Sequence, residues 1–119
     1  LCPQLNAIQN VELVLPEGKT KYREQIQKDF LQIGLDEAAL SLPARKLSGG
    51  QKRRAALLRA LWAESDTLLL DEPFTGMDPD TMKKAAALLK ERCGEKVVLL
   101  ATHDQKAIQE LGWQVIELG

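Results

Sequence analysis

Three side chains at the ends of two short apolar runs could do chemistry together. Leu68-Leu69-Leu70 leads into Asp71-Glu72-Pro73, and the run from Val97 to Ala101 leads into Thr102-His103-Asp104. A carboxylate at the tip of an apolar strand suits Mg2+ held through its water shell, because Mg2+ takes one or two carboxylates alongside phosphate oxygens. Asp71 fills that position. Glu72 beside it could polarise an attacking water as a general base. His103, the one histidine of the chain, could donate to a terminal phosphate. Read singly, the two acids are a solvated turn and the histidine a loop residue; the repetition of apolar run and polar tip links them.

A second stretch has the composition of an anion site. Leu47-Ser48-Gly49-Gly50-Gln51 is followed by Lys52-Arg53-Arg54. Two glycines after a serine predict a tight turn feeding a helix over 51–64, with Leu57, Leu58, Leu61 and Trp62 inward. Three cations in a helix's first turn oppose its dipole and cost stability unless an anion arrives from outside. A serine hydroxyl, bare glycine amides and a helix N-terminus together suit a phosphate group. The same five residues also describe an ordinary serine-capped helix. A third stretch, Gly18-Lys19-Thr20, matches the end of a phosphate-binding P-loop, which needs a glycine five positions earlier and a strand before it. Position 13 is Leu, no glycine precedes Gly18, and no strand pattern leads in. The stretch therefore reads as a turn, with Thr20 capping the next helix.

These residues need elements to carry them. The spacing of Leu5, Ile8 and Val11 predicts a short helix, ended by Leu15-Pro16-Glu17-Gly18. A helix over 21–33 would carry Tyr22, Ile26, Phe30 and Ile33 on one face and close at Gly34. One or two turns over 36–40 precede Pro43. Residues 67–71 read as a strand buried on both faces, as in a parallel sheet. A loop from Phe74 leads to a helix over 80–92 with Met82, Ala86 and Leu89 inward. A second buried strand over 97–101, a helix over 105–111 and a third strand over 115–118 complete the chain. Strand, helix, strand at this length is a βαβ unit, which places Asp71, Glu72 and His103 at one carboxyl edge, where open α/β sheets bind ligands.

Composition narrows the class. A length of 119 residues allows one ordinary domain, and 45% apolar with 28% charged residues is the balance of a globular protein. Sixteen basic against 17 acidic residues leave no basic excess for nucleic acid. The apolar runs are of strand length, so no direct membrane insertion is expected and any membrane association must come through a partner. Cys2 and Cys93 lack metal-ligand spacing and fit a reduced, cytoplasmic setting. Beginning at Leu1, without an initiator methionine or leader, the chain is expected to be part of something longer.

The motifs resemble those of ATP-binding-cassette (ABC) ATPases. Leu47 to Gln51 resembles the signature motif, Leu68 to Pro73 the Walker B strand with its glutamate, Gly76-Met77-Asp78 the D-loop, and Thr102-His103-Asp104 the switch histidine, in the family's order. The resemblance implies an α/β, P-loop NTPase-like partial parallel sheet with an N-terminal helical subdomain. Residues 1–46 would be the helical segment, and 47–119 the signature helix with the C-terminal half of the ATPase core. It implies ATP and Mg2+ as cofactors and Glu72 and His103 as catalytic groups. Asp71 would hold the metal, and Ser48, Gly49, Gly50, Gln51 and Asp78 the nucleotide. The implied partners are a second protomer in a head-to-tail dimer and a transmembrane permease, with the protein peripheral on the inner face of the membrane. DNA-repair relatives would insert coiled coils for which there is no room, and translation-associated ones tend to carry Glu at the position of Gln51. The family's Walker A loop, adenine-stacking aromatic and loop glutamine have no counterpart. The Walker A strand would lie between the strand ending at His103 and the last one, so sheet edges are expected to be unpaired and this length of chain inactive alone. The alternative is a non-hydrolysing regulatory or assembly module that binds a complete ABC ATPase through its signature face; intact Glu72 and His103 argue against it.

Overall fold

The computed structural model describes residues 1–16 and 19–117, Lys19 by its backbone alone. Capping side chains set most helix starts. Asn6 accepts the Gln9 N–H at 2.8 Å while Gln9 Oε1 accepts the Asn6 N–H at 3.0 Å, a capping box that opens α1 (Ala7–Glu12). A 3-10 turn (Lys19–Tyr22) leads into α2 (Arg23–Gln32), which has no side-chain cap. Thr20 therefore does not cap α2, because it lies inside that turn; Gly18 of the same stretch is outside the described residues. Ile26, Phe30 and Ile33 are fully buried as their spacing predicts, whereas Tyr22 stays 39% exposed, its ring 5.5 Å from that of Trp62. Gly34 ends α2 with φ +90, and a Cβ there would lie 2.9 Å from the Arg54 guanidinium, which donates to Ile33 O at 3.1 Å. The left-handed backbone is what favours glycine here, while the Arg54 tip would have to shift to admit a Cβ. Asp36 caps the short α3 (Glu37–Leu40).

The central helix α4 (Gly49–Trp62) begins two residues before the expected start. Ser48 accepts the Gln51 N–H at 3.1 Å, and Gln51 Oε1 accepts the Ser48 N–H at 2.9 Å. Both glycines thus sit in the first turn rather than in a turn ahead of it, since the serine cap is satisfied only with the helix starting at once. The cations consequently fall mostly beyond that turn and are partly engaged. Arg54 donates to Ile33 O and to Gly50 O, and Arg53 approaches Thr75 O at 3.4 Å. Ala55, Leu57, Leu58 and Leu61 enter the core. At the far end Lys96 donates to Leu61 O at 3.1 Å and Ala63 O at 2.7 Å, a cation on the negative end of the helix.

Strands β1 (Thr67–Asp71) and β2 (Val97–Ala101) pair in parallel, Thr67 opposite Val97 through Asp71 opposite Ala101. The crossover is α5 (Pro79–Cys93), started by Asp78 with Pro79 at its first position and burying Met82, Ala85, Ala86, Leu88 and Leu89. Helix α6 (Gln105–Leu111) follows β2 and packs against α5. The expectation of strands buried on both faces is not met. Leu68 and Leu70 are covered, but Leu69 is 74% exposed and Val97 and Leu99 are 60% exposed, because the helices cover one face only. The expected third strand is absent from residues 115–117, and Leu118 lies outside the described residues. A strand needs a neighbour for its backbone groups, and among the described residues no third strand lies beside β2 to supply one. Residues 113–116 instead flank an apolar groove of about 760 Å³ over the open face, lined by Leu69, Leu99, Ile108, Trp113 and Val115.

A buried ion pair ties α2, α4 and α5 together. Asp29 is 1% exposed and accepts from Arg92 Nε and Nη2, both at 2.9 Å, from Trp62 Nε1 at 3.0 Å and from Gln25 Nε2 at 3.0 Å. Arg92 also lies 5.2 Å from the Trp62 ring centroid. Asn10, fully buried, clamps the N-terminal loop by donating to Cys2 O, Leu5 O and Asn6 O while accepting the Cys2 N–H. That loop in turn accepts from the lead-in to Ser48, through Ala44 N–H to Leu5 O at 2.8 Å and Arg45 N–H to Pro3 O at 3.1 Å.

Candidate active-site edge and signature turn

The parallel register brings Asp71, Glu72 and His103 to one edge, as the two polar tips suggest. Glu72 follows β1 with φ +46, an unusual left-handed backbone for a residue with a Cβ. Its N–H bonds Ala101 O at 2.8 Å, which turns the side chain toward the end of β2. There Oε1 accepts the His103 N–H at 2.9 Å and Oε2 accepts the Thr102 hydroxyl at 3.2 Å. The His103 imidazole is fully exposed, with Nε2 3.9 Å from Glu72 Oε1, beyond hydrogen-bond reach. Asp71 is exposed at the β1 tip, at the mouth of the apolar groove. Among the described residues no hydrogen bond or ion pair engages its carboxylate. A hard oxygen donor left open to water fits Mg2+.

Ser48, Gly49, Gly50 and Gln51 form the second cluster. The Ser48 hydroxyl accepts from Gln51, so its own proton remains to donate. The Gly49 and Gly50 N–H groups occupy the first two helical positions and have no intrahelical acceptor. A Cβ on Gly49 would meet nothing within 4 Å, and one on Gly50 only the Arg54 guanidinium at 3.4 Å. Packing among the described residues thus does not demand glycine at position 49. No hydrogen bond or ion pair among the described residues joins this cluster to Asp71, Glu72 or His103.

Asp78 belongs to neither cluster by contact. Its carboxylate caps α5, accepting the Thr81 N–H at 2.8 Å and the Thr81 hydroxyl at 3.1 Å. Those two bonds hold it below the usual carboxylate range, the backbone one contributing most, with a small addition from the charge of Arg54. Sequence reasoning missed Thr102 as a neighbour of Glu72. A hydroxyl directly before His103 was the available signal, but only strand register shows that it faces the other strand's tip.

With these geometries in place, comparison with known proteins assigns the family. The ABC transporter family model matches residues 1–75, and the chain belongs to the ABC transporter ATP-binding family. It is 38% identical over 125 residues to an aliphatic sulfonates import ATP-binding protein of Xanthomonas axonopodis pv. citri, covering 100% of this chain and 49% of that protein. It is 37% identical over 118 residues to an Fe(3+) ions import ATP-binding protein of Mesorhizobium japonicum, covering 97% of this chain and 32% of that one. Among solved structures, a bacterial ABC transporter cassette in dimeric form superposes with a TM-score of 0.70 at 32% identity, over 92% of this chain and 51% of that one. The same cassette in a post-hydrolysis state bound to ADP and Pi gives a TM-score of 0.72 at 30% identity. The chain spans about half or less of the length of these relatives. The fold is accordingly part of a P-loop NTPase sheet, and no helix among the described residues is long and apolar enough to cross a membrane.

Proposed function

We propose that this chain is the signature-bearing half of an ATP-binding and ATP-hydrolysing subunit of an ABC transporter, and that its two polar clusters serve two different ATP molecules. The observation that carries the reading is Gly49, where the backbone is bare although an added Cβ would touch nothing among the described residues. Bare amides at a helix start, beside a hydroxyl with a proton to donate, suit phosphate oxygens brought by another molecule. The second protomer of a head-to-tail dimer supplies that phosphate; the dimeric form of the related cassette supports such a partner.

At the strand edge, Glu72 accepts a proton from the attacking water and His103 donates to the terminal phosphate of ATP. Asp71 would hold Mg2+, which when bound would offset charge on the phosphates. Asp78 contributes through the loop it anchors at the head of α5. Residues 1–46 form the face that meets the transmembrane permease, which keeps the subunit peripheral on the inner side of the membrane. The open apolar face over β1 and β2 takes the remainder of the cassette, including the phosphate-gripping loop, so this length of chain alone does not turn over ATP.

The test uses the full-length ATPase. Ser48→Arg should leave ATP affinity of the monomer nearly unchanged while abolishing ATP-driven dimerisation and hydrolysis, whereas Asp71→Asn should weaken Mg-ATP binding itself. Glu72→Gln should accumulate ATP-bound dimer. Equal loss of monomer affinity in Ser48→Arg and Asp71→Asn would place both clusters on one nucleotide and overturn the reading.

A further inference from the structure

The Glu72 carboxylate is held at two points from the end of β2, one of them the hydroxyl of Thr102. The Glu72 backbone N–H is fixed to Ala101 O at 2.8 Å, and its Oε1 accepts the His103 N–H at 2.9 Å. One such bond leaves the carboxylate free to pivot. The second point is the Thr102 hydroxyl, 3.2 Å from Oε2. The direction of that bond is determined. An ionised carboxylate only accepts, and the Thr102 oxygen itself accepts the Asp104 N–H at 3.0 Å, so its single proton is available for Glu72. Asp104 is anchored in turn, its Oδ1 accepting from the N–H groups of Lys106 at 3.0 Å and Ala107 at 3.2 Å at the head of α6. A chain of donors thus runs from a helix start through Thr102 to the carboxylate.

We propose that Thr102 is a positioning residue for Glu72, its hydroxyl fixing the plane of the carboxylate so that the remaining lone pairs face the attacking water. The inference rests on the reading of Glu72 as the general base. Orientation of a base matters because proton transfer requires it within hydrogen-bond reach of the water in a narrow range of geometries. Losing the hydroxyl leaves the base present but free to rotate about the His103 bond, which lowers the rate of the chemical step without touching nucleotide contacts.

The test is a set of variants in the full-length ATPase, with turnover, KM and ATP affinity measured for each. Thr102→Val keeps the shape and removes the donor, whereas Thr102→Ser keeps the donor and removes the methyl group. Thr102→Val should lower kcat about tenfold or more, part of the roughly 10²- to 10⁴-fold that a positioned base supplies, with KM and ATP affinity within about twofold. Thr102→Ser should stay within about threefold of the parent rate. In a Glu72→Gln background, adding Thr102→Val should bring no further loss, since there is no carboxylate left to orient. Should Thr102→Val not fold, Thr102→Cys, a weak donor of similar size, replaces it with the same expectation. Parent-like turnover in Thr102→Val, equal damage from Thr102→Ser, or the same fold-loss in the Glu72→Gln background would each overturn the assignment. If Glu72→Gln alone turned over ATP at the parent rate, the reading of Glu72 would fail first, an outcome distinguishable from failure at Thr102.

Discussion

Replacing Arg92 with methionine should destabilise the fold by about 3–5 kcal/mol, the range for removing one partner of a buried ion pair. The Asp29 carboxylate, 1% exposed, would lose two hydrogen bonds of 2.9 Å and the counter-charge of Arg92, keeping the neutral donors Trp62 and Gln25. The stem of methionine fills much of the space under the Trp62 ring, so the loss reports mainly the stranded charge rather than a cavity. Against a total stability of about 5–15 kcal/mol for a domain, the change is large. Urea unfolding of parent and variant at neutral pH, followed by circular dichroism and by tryptophan fluorescence, gives the difference directly. The solvated pair Lys83–Glu110, at 3.8 Å, serves as the reference and should contribute less than about 1 kcal/mol. The double variant Asp29→Leu with Arg92→Met should recover much of the loss, because both charges then leave the interior together. A loss below about 1 kcal/mol in Arg92→Met, or no recovery in the double variant, would refute the view that this pair locks α2 to α5. The bond to Asp29 also raises the Arg92 guanidinium above its ordinary value. Its stabilisation is therefore fully present below that ordinary value and is lost only as pH rises through the raised one, so the pair stays closed across the neutral range.

Gly49→Ala should leave stability unchanged or raise it by up to about 1 kcal/mol, since alanine outranks glycine in a helix and the new methyl meets nothing. In the full-length ATPase the same change should abolish ATP-driven dimerisation, read by size-exclusion chromatography; retained dimerisation would remove the argument for an outside ligand. Ser48→Ala should cost about 1 kcal/mol of stability through the lost cap, measured by the urea midpoint. The lowered Asp78 carboxyl implies that its cap on α5 is intact above about pH 3.8 and released as pH falls through the lowered value. An NMR titration should place its midpoint below that of a free aspartate, and Asp78→Asn, which keeps an acceptor, should flatten the acid dependence.

Local signals in the sequence determined much of this protein. The periodicity of Ile26, Phe30 and Ile33, the stop at Gly34, and the apolar runs before Asp71 and His103 each reflect a preference over a few residues. Those preferences were enough to place the helices to within two or three residues and to bring Asp71, Glu72 and His103 to one edge, because parallel pairing leaves the ends of adjacent strands no alternative. Where a signal was shared between two outcomes, only the fold decided. Ser-Gly-Gly reads equally as a turn or as a capped first turn, and the reciprocal bonds of Ser48 with Gln51 selected the latter. Leu69, Val97 and Leu99 carry the composition of strands covered on both faces, yet burial depends on which elements lie across the sheet, a property of packing partners and not of the run itself. Residues 115–117 failed as a strand for the same reason, since a ladder needs a neighbour and hydrophobicity cannot supply one. The link from Asp29 to Arg92 and that from Thr102 to Glu72 join residues 63 and 30 positions apart. No local pattern encodes such pairs, because their distance is set only when the helices and strands that carry them have packed.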